Sequence, residues 1–307
     1  MVTVPSKSKI AVEHLVPSLR LRYKIRFQRF WGLYTETPFG LIGLYLVSIF
    51  FIVALFAPFL APFEPTKLNT GNKWEDPSLS HPLGTDRLGR DIFSQLVWGT
   101  TISLLIGLAA AFISVVIGTI VGLVAGYYGG FIDQILMRIT DFFIIIPGLP
   151  LMLVLLMFWG GGNFMIIIAI GIVAWTGVAR VVRSETLSIK ERAYVEATRA
   201  IGAKDRHIIF NHILPNVFPL IFANAILSVV GAIIAEAGLS FLGFGDTSQW
   251  SWGRILFESR RMGENALLQG HWWYFMPPGL CIMLLALGFS LMSFSLNEVL
   301  NPRLRRR

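Results

Sequence analysis

Charge is what this chain lacks most. Only 14% of its 307 residues are Asp, Glu, Lys or Arg, while 54% are hydrophobic and the mean hydropathy is +0.65. Soluble domains carry about a quarter charged residues, so the composition excludes an ordinary soluble fold and predicts an all-α, polytopic membrane protein. Cysteine is nearly absent. Cys281 stands alone in an apolar run, which rules out an internal disulfide and suits a packed thiol. No GxxxxGKS/T phosphate loop occurs, so nucleotide hydrolysis is not expected of this chain. No HExxH pair, Cys/His cluster or nucleophile–base pair is present, and His81 is a lone histidine. The expectation is therefore no catalytic residue, no metal and no cofactor bound here. Gly129-Gly130 and Gly160 to Gly162 lack the strand-then-helix context of a dinucleotide site. Acidic chains inside the spans, which proton-coupled carriers use, reduce to Glu236.

What is present is a series of long apolar runs. Residues 1–38 form a basic leader carrying Lys7, Lys9, Arg20, Arg22, Lys24, Arg26 and Arg29. Residues 39–63 are free of charge, too long for a signal-peptide core of about 7–15 and ample for a span of about 20. Residues 64–99 read as an extracytoplasmic segment. Turn formers dominate it up to Asp91, and Ile92, Phe93, Leu96, Val97 and Trp98 then make an apolar face suited to an interfacial helix. A second span is expected over about 101–127, where Gly107, Gly118, Gly122 and Gly126 would let another helix approach closely.

Asp133, Arg138 and Asp141 form a short polar turn, with Arg138 and Asp141 at the i,i+3 spacing of a local ion pair. Residues 142–179 then hold no charge over 38 positions, about 57 Å of helix against a bilayer core of about 30 Å. Gly160 to Asn163 is expected to divide that run into spans 142–159 and 164–180, with Pro147 and Pro150 kinking the first. A fifth span over 216–235 ends at Glu236, a candidate for gating or for a structural role, as are Asp133, Arg138 and Asp141. Trp250, Trp252, Trp272 and Trp273 in or beside an outer loop read as interfacial anchors. A sixth span covers 277–296, and residues 298–307 form a basic tail.

Six spans put both ends on one side. That side holds seven basic residues in the leader, Arg138, seven from Arg180 to Arg206 and four in the tail, against seven on the other. The positive-inside rule then places both termini and the 181–215 connection in the cytoplasm. The net charge of +8 is thereby topological, with contact to anionic lipid as a by-product. No basic-aromatic groove for nucleic acid is apparent.

The stretch Glu191 to Pro215 is the most strongly charged interruption between spans. Its pattern predicts a helix over 184–201 with a polar side and Gly202 as its terminating glycine. Asp205 would cap a second short helix that Pro215 closes. From the residues alone, a solvated connection and a gripped handle both remain open. The strings EATRAIG and HILPN within it resemble the "EAA" loop of ABC-transporter permeases. Glu196, Ala197, Gly202, Leu214 and Pro215 fall on that pattern, with Thr198 where Ala is usual and His212 where Ile is common. The runs HPLGTDRLGRDIFSQLVWG and AEAGLSFLGFG are similar to the dipeptide/oligopeptide/nickel branch, whose second-permease type the chain resembles nearly throughout, with residues 100–297 as the shared core.

That resemblance implies a type I ABC importer permease fold with six transmembrane helices. It implies ATPase coupling through Glu196, Ala197, Thr198, Gly202, Ala203, Leu214 and Pro215, and candidate outer docking at Asp86, Gly89, Arg90 and Asp91. It also implies a second permease, cytosolic subunits that hold ATP and Mg, and an external substrate-binding protein. The implied cargo is di- or oligopeptides, with oligosaccharides, nickel or glutathione as alternatives. A secondary carrier or a membrane scaffold would fit the composition, but the midplane charges and internal inverted repeats of a carrier are not seen.

Overall fold

The computed structural model describes residues 31–260, 266 and 268–300. The basic leader up to residue 30, Arg261 and the tail beyond residue 300 lie outside the described residues. Among them the chain is helical, with one isolated bridge between Thr85 and Asp91. Four helices are long and apolar enough to cross a membrane, and six spans result if each of two bent pairs counts as one.

Helix α1 (Pro38–Leu55) starts with proline at a position whose N–H needs no partner. It ends sooner than the charge-free run suggests, because Pro58 opens a separate turn, α2 (Ala57–Leu60). Gly40 and Gly43 bring α1 against the last helix, α12 (Trp272–Leu300), where a Cβ on Gly43 would lie 2.6 Å from the Gly288 carbonyl.

Helix α3 (Ile92–Tyr128) is the longest single element, 37 residues and about 55 Å. The expected interfacial helix does not exist separately. Ile92 and Val97 are buried, and residues 92–98 are the first turns of α3 itself. No proline or glycine cap falls between 92 and 128, so nothing stops the helix at the membrane edge. Gly118, Gly122 and Gly126 face α7 (Thr176–Lys190), and a Cβ on any of them would sit within 2.7 Å of Trp175, Val178, Ala179, Val182 or Thr186 atoms.

The region expected as span 142–159 is rebuilt. Helix α4 (Gly130–Ile145) runs through the polar turn and meets α5 (Gly148–Trp159) at 90°. Pro147 dictates the corner, since it disfavours helical backbone at Ile146, which is extended at φ −79°, ψ 125°. Helix α5 is 12 residues, about 18 Å, too short to cross alone. Helix α6 (Asn163–Ala174) bends by 40° into α7. Two apolar cores result: a large one among α1, α3, α5, α6, α12 and residues 229–255, and a smaller one where the end of α3 and α7 meet residues 195–221.

Candidate functional site

The elbow is built from two helices. Helix α8 (Ala193–Ala200) ends at Ile201, and Gly202 follows at φ +83°, a left-handed conformation that glycine takes at little cost. The break between α7 and α8 falls at Glu191 and Arg192, so the expected helix over 184–201 is two helices. Helix α9 (Asp205–Ile208) then begins at Lys204 without a side-chain cap. The Asp205 carboxylate is engaged elsewhere, accepting a 2.6 Å hydrogen bond from the Tyr127 hydroxyl at the end of α3.

Pro215 does not close the elbow. Residues Ile209–Ile213 form a π-turn that runs on into α10 (Leu214–Phe241), giving one helical path over Asp205–Phe241. A proline within an α-helix leaves the carbonyl four residues earlier without a donor and collides with it. The wider π-turn just before Pro215 relieves that conflict, so the helix bends and continues.

Inside, Val195, Ile208 and Ile213 are fully buried against Leu123, Tyr127, Val182 and Ile189. Outside, Ile201 is 85% exposed, Phe210 56% and Tyr194 41%. Glu196, Ala197, Gly202 and Pro215 are exposed, and Thr198, Ala203 and Leu214 half-buried. The elbow is therefore a firmly rooted projection that presents three apolar side chains among charges. Arg199 and Lys190 lie over the Tyr127 ring at 5.7 and 5.8 Å, which ties the outer helix back to α3.

Helix α4 is fixed to the same unit by two arginines of α7. Arg183 forks onto Asp133 at 2.5 and 2.6 Å, and Arg180 reaches Asp141 at 2.6 Å. The expected Arg138–Asp141 pair is replaced, because Asp141 is met by Arg180 of the facing helix through a single guanidinium bond. Arg138 instead lines a shallow cavity with Gln134 and Met137.

On the other face, the residues expected as an outer docking surface are interior. Asp86 and Asp91 are fully buried, Arg90 is 7% exposed and Gly89 is buried. Asp86 accepts from Arg90 Nε at 2.5 Å, from the Leu88 amide at 2.8 Å and from Gln95 at 3.0 Å. Asp91 caps α3 through the Ser94 amide at 2.7 Å and faces His81 Nδ1 at 2.9 Å. These carboxylates knit the 64–91 loop together from within. Buried carboxylates demand such partners, which is why they point inward.

The tryptophans depart from expectation as well. Trp250, Trp252 and Trp273 are buried, and Trp272 alone of the four is exposed. Trp250 lies between the guanidiniums of Arg90 at 4.6 Å and Arg254 at 4.3 Å. The hydroxyl and amide of Ser248 hold Asp246, in the same outer loop, below the usual carboxylate range. Glu236 is 1% exposed and held by the hydroxyls of Ser103 at 3.2 Å and Ser240 at 2.8 Å. It is caged by serine hydroxyls. No group of three or more His, Cys, Asp or Glu that could hold a metal occurs among the described residues.

Residues 118–306 match the family described as "Binding-protein-dependent transport system inner membrane component". This chain belongs to that family. Residues 26–81 match a second one, the "N-terminal TM domain of oligopeptide transport permease C". Among relatives, the Bacillus subtilis dipeptide transport system permease DppC is 38% identical over 90% of this chain and 85% of its own. The oligopeptide permease OppC of the same organism is 36% identical over 89% and 88%. The glutathione transport permease GsiD of Salmonella typhimurium is 36% identical over 96% and 97%.

The inward-facing MetNI methionine ABC transporter shares the fold at a TM-score of 0.53, with 23% identity over 70% of this chain and 98% of that one. The permease is thus an inner-membrane, multi-pass subunit of an ABC importer with a type I fold. As in its family, it works with a substrate-binding protein and an ATPase. Glu196, Gly202, Leu214 and Pro215, quoted above for the family loop, all lie on or beside the exposed elbow. Sequence reasoning missed the Tyr127–Asp205, Asp133–Arg183 and Asp141–Arg180 pairs, which join residues 39 to 78 positions apart.

Proposed function

We propose that this permease carries di- or oligopeptides inward, with a second, related permease completing the path. ATP and Mg sit in the cytosolic subunits, and this chain binds neither and catalyses nothing. Both termini and the elbow face the cytoplasm, as the excess of basic residues on that side supports. The one observation that carries the reading is the elbow itself. It presents Tyr194, Ile201 and Phe210 to solvent, is rooted by Val195 and Ile208, and is continuous with the membrane-crossing path of Asp205–Phe241. A groove on an ATPase that takes these side chains would move that helix as it closes on ATP.

Peptide cargo rests on the DppC and OppC relatives. Glutathione, itself a tripeptide, is the second reading, because the GsiD relatives align over 96% of this chain. The test is uptake by the complete transporter in proteoliposomes, with labelled dipeptide and labelled glutathione in competition. Glu196→Lys is expected to abolish ATP-driven uptake while the permease still inserts; unchanged uptake would remove the elbow from the mechanism.

A further inference from the structure

Helix α10 and helix α3 are joined at both ends by a carboxylate on the α10 path. At the cytosolic end Asp205 accepts from Tyr127 at 2.6 Å, and at the outer end Glu236 accepts from Ser103 at 3.2 Å. The two carboxylates are 31 positions apart, about 46 Å along a helix. Among the described residues Glu236 has no cation beside it, and its partners are hydroxyls. The Ser103 hydroxyl donates to Glu236, which leaves the serine oxygen to accept from elsewhere.

That oxygen accepts from the outer loop. Ser103 Oγ takes the Trp252 amide at 3.1 Å, and Ser251 Oγ takes the Arg254 amide at 3.3 Å as the cap of the same helix. Both amides belong to the first turn of α11 (Trp252–Ser259), an eight-residue helix in the outer loop. One free N–H group of that turn is thus relayed through the Ser103 hydroxyl to the buried Glu236 carboxyl. There is no slack. A Cβ on Gly253 would lie 2.6 Å from the Ala237 carbonyl, and one on Gly99 would lie 2.9 Å from the Trp252 ring. The far end of α11 carries Glu258, which pairs with Arg87 of the 64–91 loop at 3.3 Å.

We propose that Glu236, through Ser103, is a positioning residue for transport. It makes α11 follow the helical path of Asp205–Phe241, so that a movement imposed at the elbow re-sets the outer loops. Movement of α10 along α3 then cannot occur at the outer end without re-forming the Ser103–Glu236 contact and displacing the start of α11. This rests on the elbow reading above, and the two fail differently.

The experiment uses the assembled transporter, with its second permease and ATPases, in a Cys281→Ser background. Spin labels are placed at Leu79, fully exposed in the 64–91 loop, and at Arg260, which follows α11. In the parent protein a non-hydrolysable ATP analogue is expected to shift the distance between the labels. Glu236→Ala and Ser103→Ala are expected to abolish that shift and to lower dipeptide uptake roughly three- to thirtyfold, as positions in a coupling network do. ATPase binding at the elbow stays as in the parent. Glu236→Gln keeps one acceptor oxygen and should fall between.

If Ser103→Ala and Glu236→Gln both insert, shift and transport as the parent does, the inference is overturned. It is also overturned if the parent transports without any shift, or if the variants lose uptake while keeping the shift. A parent complex whose uptake is indifferent to ATP would overturn the elbow reading instead.

Discussion

Gly202 offers the cleanest measurement of what the elbow's shape contributes. Its backbone is at φ +83°, yet a Cβ built there meets nothing within 4 Å. A side chain at this position is therefore opposed by conformation alone, with no steric contribution from neighbours. Left-handed backbone costs a β-branched residue about 1–2 kcal/mol, whereas Asn visits it readily. Gly202→Val should then raise the bent elbow by that amount relative to any straighter form, and Gly202→Asn should raise it little. If the bent form is the one an ATPase grips, apparent affinity falls with its population. A strain of 1–2 kcal/mol corresponds to about 5- to 30-fold at most. The assay is a titration of purified ATPase subunit onto permease in nanodiscs, followed by ATP-driven uptake. Weak binding by the Val variant and near-parent binding by the Asn variant is the expected order. Equal affinities for the two would refute the claim that the turn's conformation matters, and weakening by both would point to lost contact surface instead.

Two further perturbations test how the helices are held. Gly122→Leu places a side chain where a Cβ already lies 2.6 Å from the Ala179 carbonyl, and should lower the unfolding midpoint in detergent by the equivalent of about 1–3 kcal/mol. Gly231→Leu, at an open position on α10, should leave that midpoint nearly unchanged. A double-mutant cycle on Asp133 and Arg183 should return a coupling near 1 kcal/mol, while Asp141 and Arg180, both about half exposed, should return less than about 0.5 kcal/mol. Equal couplings for the two pairs would contradict the ranking by burial.

Residues whose message is local were read well. The glycines at i,i+4 on α3 and the terminating Gly202 each act within a turn or two of their own position. Element boundaries were misread where a proline's effect depends on what the chain does next. Pro58 and Pro147 end or turn a run of apolar residues that length alone would have made one span. Pro215, which by the same rule ends a helix, is passed by a π-turn. Polarity misled in a second way. Asp86, Arg90 and Asp91 look like surface residues because charges are rarely buried. Here each charge is matched by a partner within ten residues, and the loop closes around them. No spacing rule announces that Asp133 will prefer Arg183, 50 residues away, over Arg138 five residues away.

The treatment of Pro215 bears directly on mechanism. Had it closed the elbow, the handle would hang from the spans by a flexible joint, and any movement at Ile201 would be lost in that joint. With the path unbroken from Asp205 to Phe241, displacement at the elbow is carried as displacement of a helix, and helices bend little over this length except at marked defects. Two such defects exist, the π-turn at Ile209–Ile213 and Pro219 within α10, and both lie in the first half of the path. Bending is thus confined near the cytosolic end, above which the helix is stiff up to Glu236. The elbow can swivel to meet an ATPase groove, yet still drive the outer end.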